Sequence, residues 1–159
     1  MNLDYLLNDI RIIEAKQVGI IYHFTYPSSL EKILKDGSLE TINDYVSFTR
    51  NFQLTGFGQV RIAFDGDKLS EKYSIEPFAD VGLHRNNNGR ESESEERIVW
   101  KPYSPLPVIS PKYVIQIDIK PEKAWVPIMK AHRMEYFKRV QAEFPQFKIN
   151  IVESWRPVK

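Results

Sequence analysis

Short runs of β-branched and aromatic residues recur along this chain, with turn-forming residues between them. A run of five to seven such residues has the length of a strand and is too short for most helices. Runs of this kind occupy 19–25, 44–49, 60–64, 96–100, 113–119 and 147–152, with a shorter one at 73–75. In the segment 113–119, the spacing places Tyr113, Ile115, Ile117 and Ile119 on one face. The sequence therefore predicts five to six short strands.

Helical periodicity occupies three of the intervening segments. Leucines and isoleucines between residues 3 and 13 have helical spacing, and a second helix is expected within about 128–143. A third, short helix is expected before Gly37. Ser28 and Glu31 have the spacing of a capping box at its start, and Gly37 stands where it should end. Residues 79–95 lack apolar periodicity and are expected to form an exposed loop. We predict a single α+β domain over residues 1–159, with a mixed or mostly antiparallel sheet and about three helices.

Composition limits the chemistry that is open to this chain. It contains no cysteine, which excludes disulfides, thiolate metal ligands and cysteine nucleophiles. Its three histidines, His23, His84 and His132, lack the spacing of metal ligands, so no metal site is predicted. The first residues mix charge with apolar side chains, unlike a signal peptide or a membrane span. The sequence predicts a soluble cytoplasmic protein whose chemistry uses carboxylates, hydroxyls, histidine or an organic cofactor.

The nearly balanced charge hides an uneven distribution. The chain has 22 Lys and Arg against 21 Asp and Glu, which argues against nucleic-acid binding through bulk positive charge. Residues 121–159, however, carry eight Lys and Arg against four Glu, a net charge of +4. Such a run is usually a solvated helix face, but it can also meet an anionic partner.

Three short segments carry candidate functional side chains. They are Tyr22-His23-Phe24-Thr25, Ser47-Phe48-Thr49-Arg50 and the acidic run Glu91-Ser92-Glu93-Ser94-Glu95-Glu96. Each lies in or at the end of a predicted strand, where a polar residue must find a partner or face a cleft. Taken singly, a buried histidine with a partner, a surface arginine and a solvated acidic loop would each explain them.

In this order, the segments resemble the ADP-ribosyltransferases. The resemblance comprises a first strand with Tyr-His-Phe-Thr, a helix ending in Asp36-Gly37, a strand with Ser-Phe-Thr-Arg and a late glutamate at the head of a strand. It is similar to the DNA-modifying branch of the DarT type and to the RNA 2′-phosphotransferases, and it covers roughly residues 20–100. The chain departs from these families in having no legible Arg-Ser-Glu triad and no clean His-Tyr-Glu triad.

The resemblance implies transfer of ADP-ribose from NAD, with NAD as a substrate. A carboxylate would stabilise the oxocarbenium character that develops as the nicotinamide–ribose bond breaks. Glu95 or Glu96 would take this catalytic role, with Glu95 favoured. Residues implied in NAD binding are His23, which is also a catalytic candidate, with Thr25, Tyr45, Ser47, Phe48, Thr49 and Arg50.

In the resemblance, the loop before the catalytic glutamate recognises the acceptor. Here it contains Arg85, Asn87 and Arg90, whose side chains suit DNA or RNA. A protein acceptor stays open, and no membrane partner is expected. A role as a toxin or in phage–host conflict fits such an activity.

Two other functions fit parts of the sequence. A non-enzymatic binding or inhibitor protein of phage or plasmid type would use the basic C-terminal segment, with Trp125, Tyr136 and Trp155 exposed. A metal-dependent nuclease would use Asp65, Asp67 and Glu76 as ligands, although Asp65-Gly66-Asp67 is better explained as a turn.

Overall fold

Alternating apolar residues build one large sheet, as the computed structural model of the chain shows. The structure describes residues 18–41, 43–54, 56–77, 95–123 and 125–159, with the backbone alone at Pro77 and Glu95. Its strands are β1 (Ile20–Thr25), β2 (Leu39–Glu40), β3 (Tyr45–Thr49), β4 (Val60–Asp65), β5 (Ile75–Pro77), β6 (Glu95–Val99), β7 (Pro105–Leu106), β8 (Val114–Ile119) and β9 (Ile149–Ile151). Its helices are α1 (Pro27–Asp36), α2 (Gly66–Ser70) and α3 (Pro127–Glu143).

Seven of the described strands form the main sheet in the order β5-β6-β3-β1-β4-β8-β9. Neighbouring strands are antiparallel except β8 and β9, which are parallel, and β2 pairs with β7 in a separate two-stranded sheet. The predicted α+β single domain with a mostly antiparallel sheet is confirmed. Within the described residues nine strands form, more than the five to six that were predicted. Strands β2 and β7 are too short to show alternation, and the short run at 73–75 leads into a strand of its own, β5.

The sheet buries apolar side chains on both faces, but unequally. The larger core packs Ile21, Ile62 and Ile117 against the helices. On the opposite face a small cluster forms around Tyr22, Ala63 and Val158. The C-terminal segment after β9 therefore covers the second face of the central strands.

Local details differ from the sequence predictions at two places. Helix α1 begins at Pro27 with Tyr26 as its N-cap and no side-chain capping bond, so the predicted capping box is wrong. Proline fixes its own φ at a helical value and starts the helix there, while Glu31 instead pairs with Lys35 and Arg139. Gly37 ends this helix at φ 67°, as predicted.

Strand β8 does not keep the four predicted residues on one face. Its register with β4 shifts between Ala63 and Phe64, which marks a bulge. Ile117 lies in the main core, whereas Ile115 packs against the small cluster on the opposite face. The predicted helix at residues 3–13 lies outside the described residues, as does the predicted loop apart from the backbone of Glu95 at its end.

Candidate active site

The central strands β1 and β3 separate shortly after they meet. Between β1 and β3 only Tyr22 and Thr49 are paired in the described residues. By contrast, β1 and β4 have six paired residues, and β3 and β6 have five. Where the strands diverge, His23 Nδ1 lies 3.0 Å from the carbonyl oxygen of Ser47. A side chain thus bridges two strands in the middle of the sheet, beside a gap in the main-chain ladder.

A cavity of about 220 Å³ occupies this gap. It is lined by Tyr22, His23, Phe24, Ser47, Phe48, Thr49, Leu54 and Phe57. Most of these side chains are aromatic or aliphatic, and His23, Ser47 and Thr49 supply the polar groups. Predominantly apolar walls with a few placed polar groups are typical of small-molecule sites.

The loop after β3 closes one side of the cavity through Leu54 and Phe57. Its return to the sheet depends on Gly58, whose φ is 115°. A Cβ at this position would stand 2.0 Å from the carbonyl oxygen of Thr25. Only glycine therefore permits this approach, which brings the half-exposed Phe57 to the cavity.

The surroundings of His23 favour a neutral ring. Although the residue keeps some exposed surface, its ring is packed in the strand gap, with Phe48 edge-on at a centroid distance of 5.9 Å. Burial lowers the pKa of His23 below 6.5, and the hydrogen bond to Ser47 opposes this only in part. The carbonyl oxygen can only accept, so Nδ1 carries the proton and Nε2 keeps its lone pair. His23 is thereby prepared to accept a hydrogen bond from a hydroxyl group.

Two glutamates at the start of β6 lie beside β3. Glu96 is the Cα partner of Phe48, is buried, and its Oε1 lies 2.6 Å from Arg50 Nε. Glu95 is the Cα partner of Thr49, and its side chain lies outside the described part of the structure. The ion pair commits Glu96 to Arg50, which agrees with the preference for Glu95 as the catalytic candidate.

The structure brings together four of the predicted site residues: His23, Ser47, Phe48 and Thr49 line one cavity. Thr25 is buried at the end of β1 without lining it, and Arg50 pairs with Glu96. Tyr45 also lies apart from the cavity lining, with the Arg97 guanidinium carbon 3.8 Å from its ring centroid. The predicted acceptor residues Arg85, Asn87 and Arg90 lie outside the described residues.

Sequence reasoning missed four residues that line the cavity, namely Tyr22, Phe24, Leu54 and Phe57. Tyr22 and Phe24 were visible as strand residues, but the separation of β1 from β3 leaves no local signal. Phe57 had one: it stands between Gly56 and Gly58, and both glycines adopt positive φ. An aromatic residue flanked by glycines indicates a loop that presents a ring.

The two aspartates of the nuclease interpretation have structural roles. Asp65 caps α2 by accepting from the amide of Lys68, and Asp67 accepts from the amides of Val18 and Gly19. Within the described ranges, no group of three His, Cys, Asp or Glu residues is arranged to hold a metal ion. The predicted exposure of Trp155 is also wrong, because the C-terminal segment folds back and buries it.

Comparison with protein-family models, with curated proteins and with solved structures gives no significant match for this chain. Among the helices of the described residues, none has the length and apolar character needed to cross a bilayer.

Proposed function

We propose that this protein is an NAD-dependent mono-ADP-ribosyltransferase that modifies a macromolecule, with nucleic acid as the favoured acceptor. A role as a toxin or in phage–host conflict belongs to the same proposal. The observation that carries it is the convergence of His23, Ser47, Phe48 and Thr49 on one cavity. These residues come from the two segments that the family resemblance singled out.

The cavity suits one end of a dinucleotide. Its 220 Å³ is below the roughly 300–1,000 Å³ of pockets that hold a whole drug-sized ligand. The fit is therefore to a single ring system, with Phe48 and Phe57 supplying apolar contact. Neutral His23 would accept a hydrogen bond from a ribose hydroxyl through Nε2.

In the proposed reaction the bond between nicotinamide and ribose breaks and nicotinamide leaves with the bonding electron pair. A nucleophilic oxygen or nitrogen of the acceptor then bonds to the same ribose carbon and gives up its proton to solvent. Positive charge develops on the ribose as this bond breaks, and a carboxylate placed beside it lowers the barrier selectively. Glu95 is our first candidate for this carboxylate, because Glu96 already pairs with Arg50. Arg50 itself remains a candidate for the pyrophosphate, since a guanidinium group can bind phosphate oxygens in pairs.

The direct experiment incubates the purified protein with labelled NAD and separate acceptors: single-stranded DNA, RNA and a protein extract. We expect label on nucleic acid, and its loss in Glu95→Gln. Glu96→Gln should be less impaired, because its partner Arg50 keeps 41% of its side chain exposed and can be solvated. The matched control is Lys148→Gln, which lies next to β9 at the edge of the main sheet and should retain activity. Absence of both NAD binding and NAD turnover in the wild type would overturn the proposal.

A second candidate is a non-enzymatic binding protein that uses the basic C-terminal segment. Helix α3 exposes Ile128 and Lys130 near its start, with 69% of Ile128 accessible. Part of its charge is already neutralised, because Arg139 pairs with Glu31 and Glu143. The test is the effect of the protein on cells that express it. If the double variant Lys130→Glu with Lys138→Glu lost this effect while Glu95→Gln kept it, the binding function would replace the enzymatic one.

A further inference from the structure

A buried arginine lies beside the cavity, on the sheet face that carries the small cluster of Tyr22, Ala63 and Val158. Arg61 of β4 is 1% exposed, and its guanidinium carbon lies 4.9 Å from the ring centroid of Tyr22 and 5.1 Å from that of Trp155. Its Nη2 donates to Asp118 Oδ2 at 2.5 Å. Asp118 also accepts from the side-chain amides of Gln116 and Asn150. The ion pair is thus firmly fixed.

The same guanidinium group holds two segments that the sheet does not pair. Its Nη1 donates to the carbonyl oxygen of Phe52 at 2.8 Å, and its Nη2 donates to that of Arg156 at 2.8 Å. Phe52 belongs to the loop that supplies Leu54 and Phe57 to the cavity. Arg61 therefore holds the loop that forms one wall of the cavity.

The C-terminal segment, which Arg61 also holds, packs against a second wall of the cavity. Trp155 packs edge-on against Phe24 at a centroid distance of 5.7 Å, and the amide of Val158 lies 3.4 Å from the Tyr22 hydroxyl. Tyr22 and Phe24 both line the cavity. Arg61 thus contacts the cavity residue Tyr22 directly. It is linked to Leu54 and Phe57 through the loop and to Phe24 through the C-terminal segment, without lining the cavity itself.

Stability alone does not account for a charge in this place. A buried ion pair can often be replaced by well-packed apolar residues without loss of stability. What an apolar side chain cannot supply is a planar fork of donors that reaches a carboxylate and two carbonyl groups together. The Arg61 contacts therefore point to precise placement of the loop and the C-terminal segment.

We propose that Arg61 is a positioning residue for the cavity, with Asp118 as the group that orients it. The link to NAD rests on the proposed function. Placement of the loop by Arg61 is independent of the proposed function, and it can be measured in the protein without ligand.

The experiment compares Arg61→Lys with the wild type, because lysine keeps the charge but cannot reach Asp118 and both carbonyl groups. Hydrogen–deuterium exchange should be at least several-fold faster in residues 50–54, 56–59 and 155–158, while β8 keeps wild-type protection. With NAD, KM should rise about tenfold, as expected for one lost charge-assisted hydrogen bond, while kcat changes less than twofold. Asp118→Asn should show the same pattern more weakly, and Lys148→Gln at the edge of the same polar cluster should show none.

Each outcome decides one of the two proposals. Unchanged exchange of the loop and the C-terminal segment in folded Arg61→Lys would overturn the positioning role, whatever NAD does. Faster exchange in a protein whose wild type does not bind NAD would keep the positioning role and overturn the proposed function. A fall in kcat with unchanged KM would also contradict the positioning role. If Arg61→Lys does not fold, Asp118→Asn, which keeps the guanidinium group and weakens only its ion pair, serves in the same measurements.

Discussion

The protein buries ionisable side chains on two neighbouring strands, and their surroundings differ sharply. His23 and Arg61 lie on β1 and β4, which are paired along their whole length. His23 makes one hydrogen bond within the described structure and lines a cavity. Arg61 donates to three acceptors and is covered by two aromatic rings. A group whose charge is paired by a buried carboxylate belongs to the framework, whereas a neutral group with a spare acceptor is available to a ligand.

Loss of Arg61 should destabilise the protein more than any other substitution considered below. Arg61→Met leaves Asp118 buried without its counter-charge, and removal of one partner of a buried ion pair costs about 3–5 kcal/mol. Urea unfolding should show this loss, and the double variant Arg61→Met with Asp118→Leu should recover part of it. A loss below about 1 kcal/mol in the single variant would mean that Arg61 is not part of the framework.

A smaller loss is expected from Gly58→Ala, which acts on the cavity loop. The new Cβ would collide with the carbonyl oxygen of Thr25, and such strained backbone positions cost about 1–3 kcal/mol. The loop must move, so NAD binding should weaken together with stability. Gly56→Ala is the matched control: its Cβ would meet nothing within 4 Å, so it bears only the strain of its φ of 84°. Equal losses in the two variants would show that the contact with Thr25 is unimportant.

Substitution of His23 should separate function from stability. His23→Leu removes one hydrogen bond, which contributes about 1 kcal/mol, and adds apolar contact in the strand gap. We therefore expect the free energy of unfolding to change by less than about 1 kcal/mol. NAD binding measured by calorimetry should fall at least tenfold. A destabilisation as large as that of Arg61→Met would place His23 in the framework instead.

The pH dependence provides the finest distinction. The folded-state pKa of His23 lies below the ordinary 6.5. Above pH 6.5 both the folded and the unfolded histidine are neutral, so stability is unaffected. Below it the unfolded chain binds a proton that the folded chain refuses, and stability falls by up to about 1.4 kcal/mol per pH unit, down to the folded-state pKa.

The contribution of His23 to the pH dependence of stability is measured as the difference in the free energy of unfolding between the wild type and His23→Leu, from pH 8 to pH 5. The two curves should run parallel above pH 6.5. Below it the stability of the wild type should fall relative to that of His23→Leu, because only the wild type loses this contribution. Parallel curves over the whole range would show that the pKa of His23 is not lowered. NAD affinity should likewise stay constant from pH 8 to pH 6.5.

The sequence allowed the strands and part of the site to be predicted, because both depend on local patterns. His23, Ser47 and Thr49 stood out as polar residues in apolar strands, and the structure places them on one cavity. Leu54 joins that cavity only because the loop folds back onto β1 at Gly58, a contact between distant segments. Arg61 gave no signal either, since its partners Phe52, Asp118 and Arg156 lie 9, 57 and 95 residues away.

The position of Ile115 shows the same limit within a single strand. Alternation predicted it beside Ile117, but the bulge opposite Ala63 and Phe64 turns it to the other face. Bulges depend on pairing between strands, which the sequence of one strand does not contain.

A crystal structure of the protein with NAD would show whether the gap between β1 and β3 is the NAD site. We expect the nicotinamide end in the gap between β1 and β3, packed near Phe48 and Phe57. A ribose hydroxyl should lie within hydrogen-bond distance of His23 Nε2. NAD bound elsewhere, such as beside Asp118 on β8, or a gap that stays closed to NAD at saturating concentration, would overturn the proposed site.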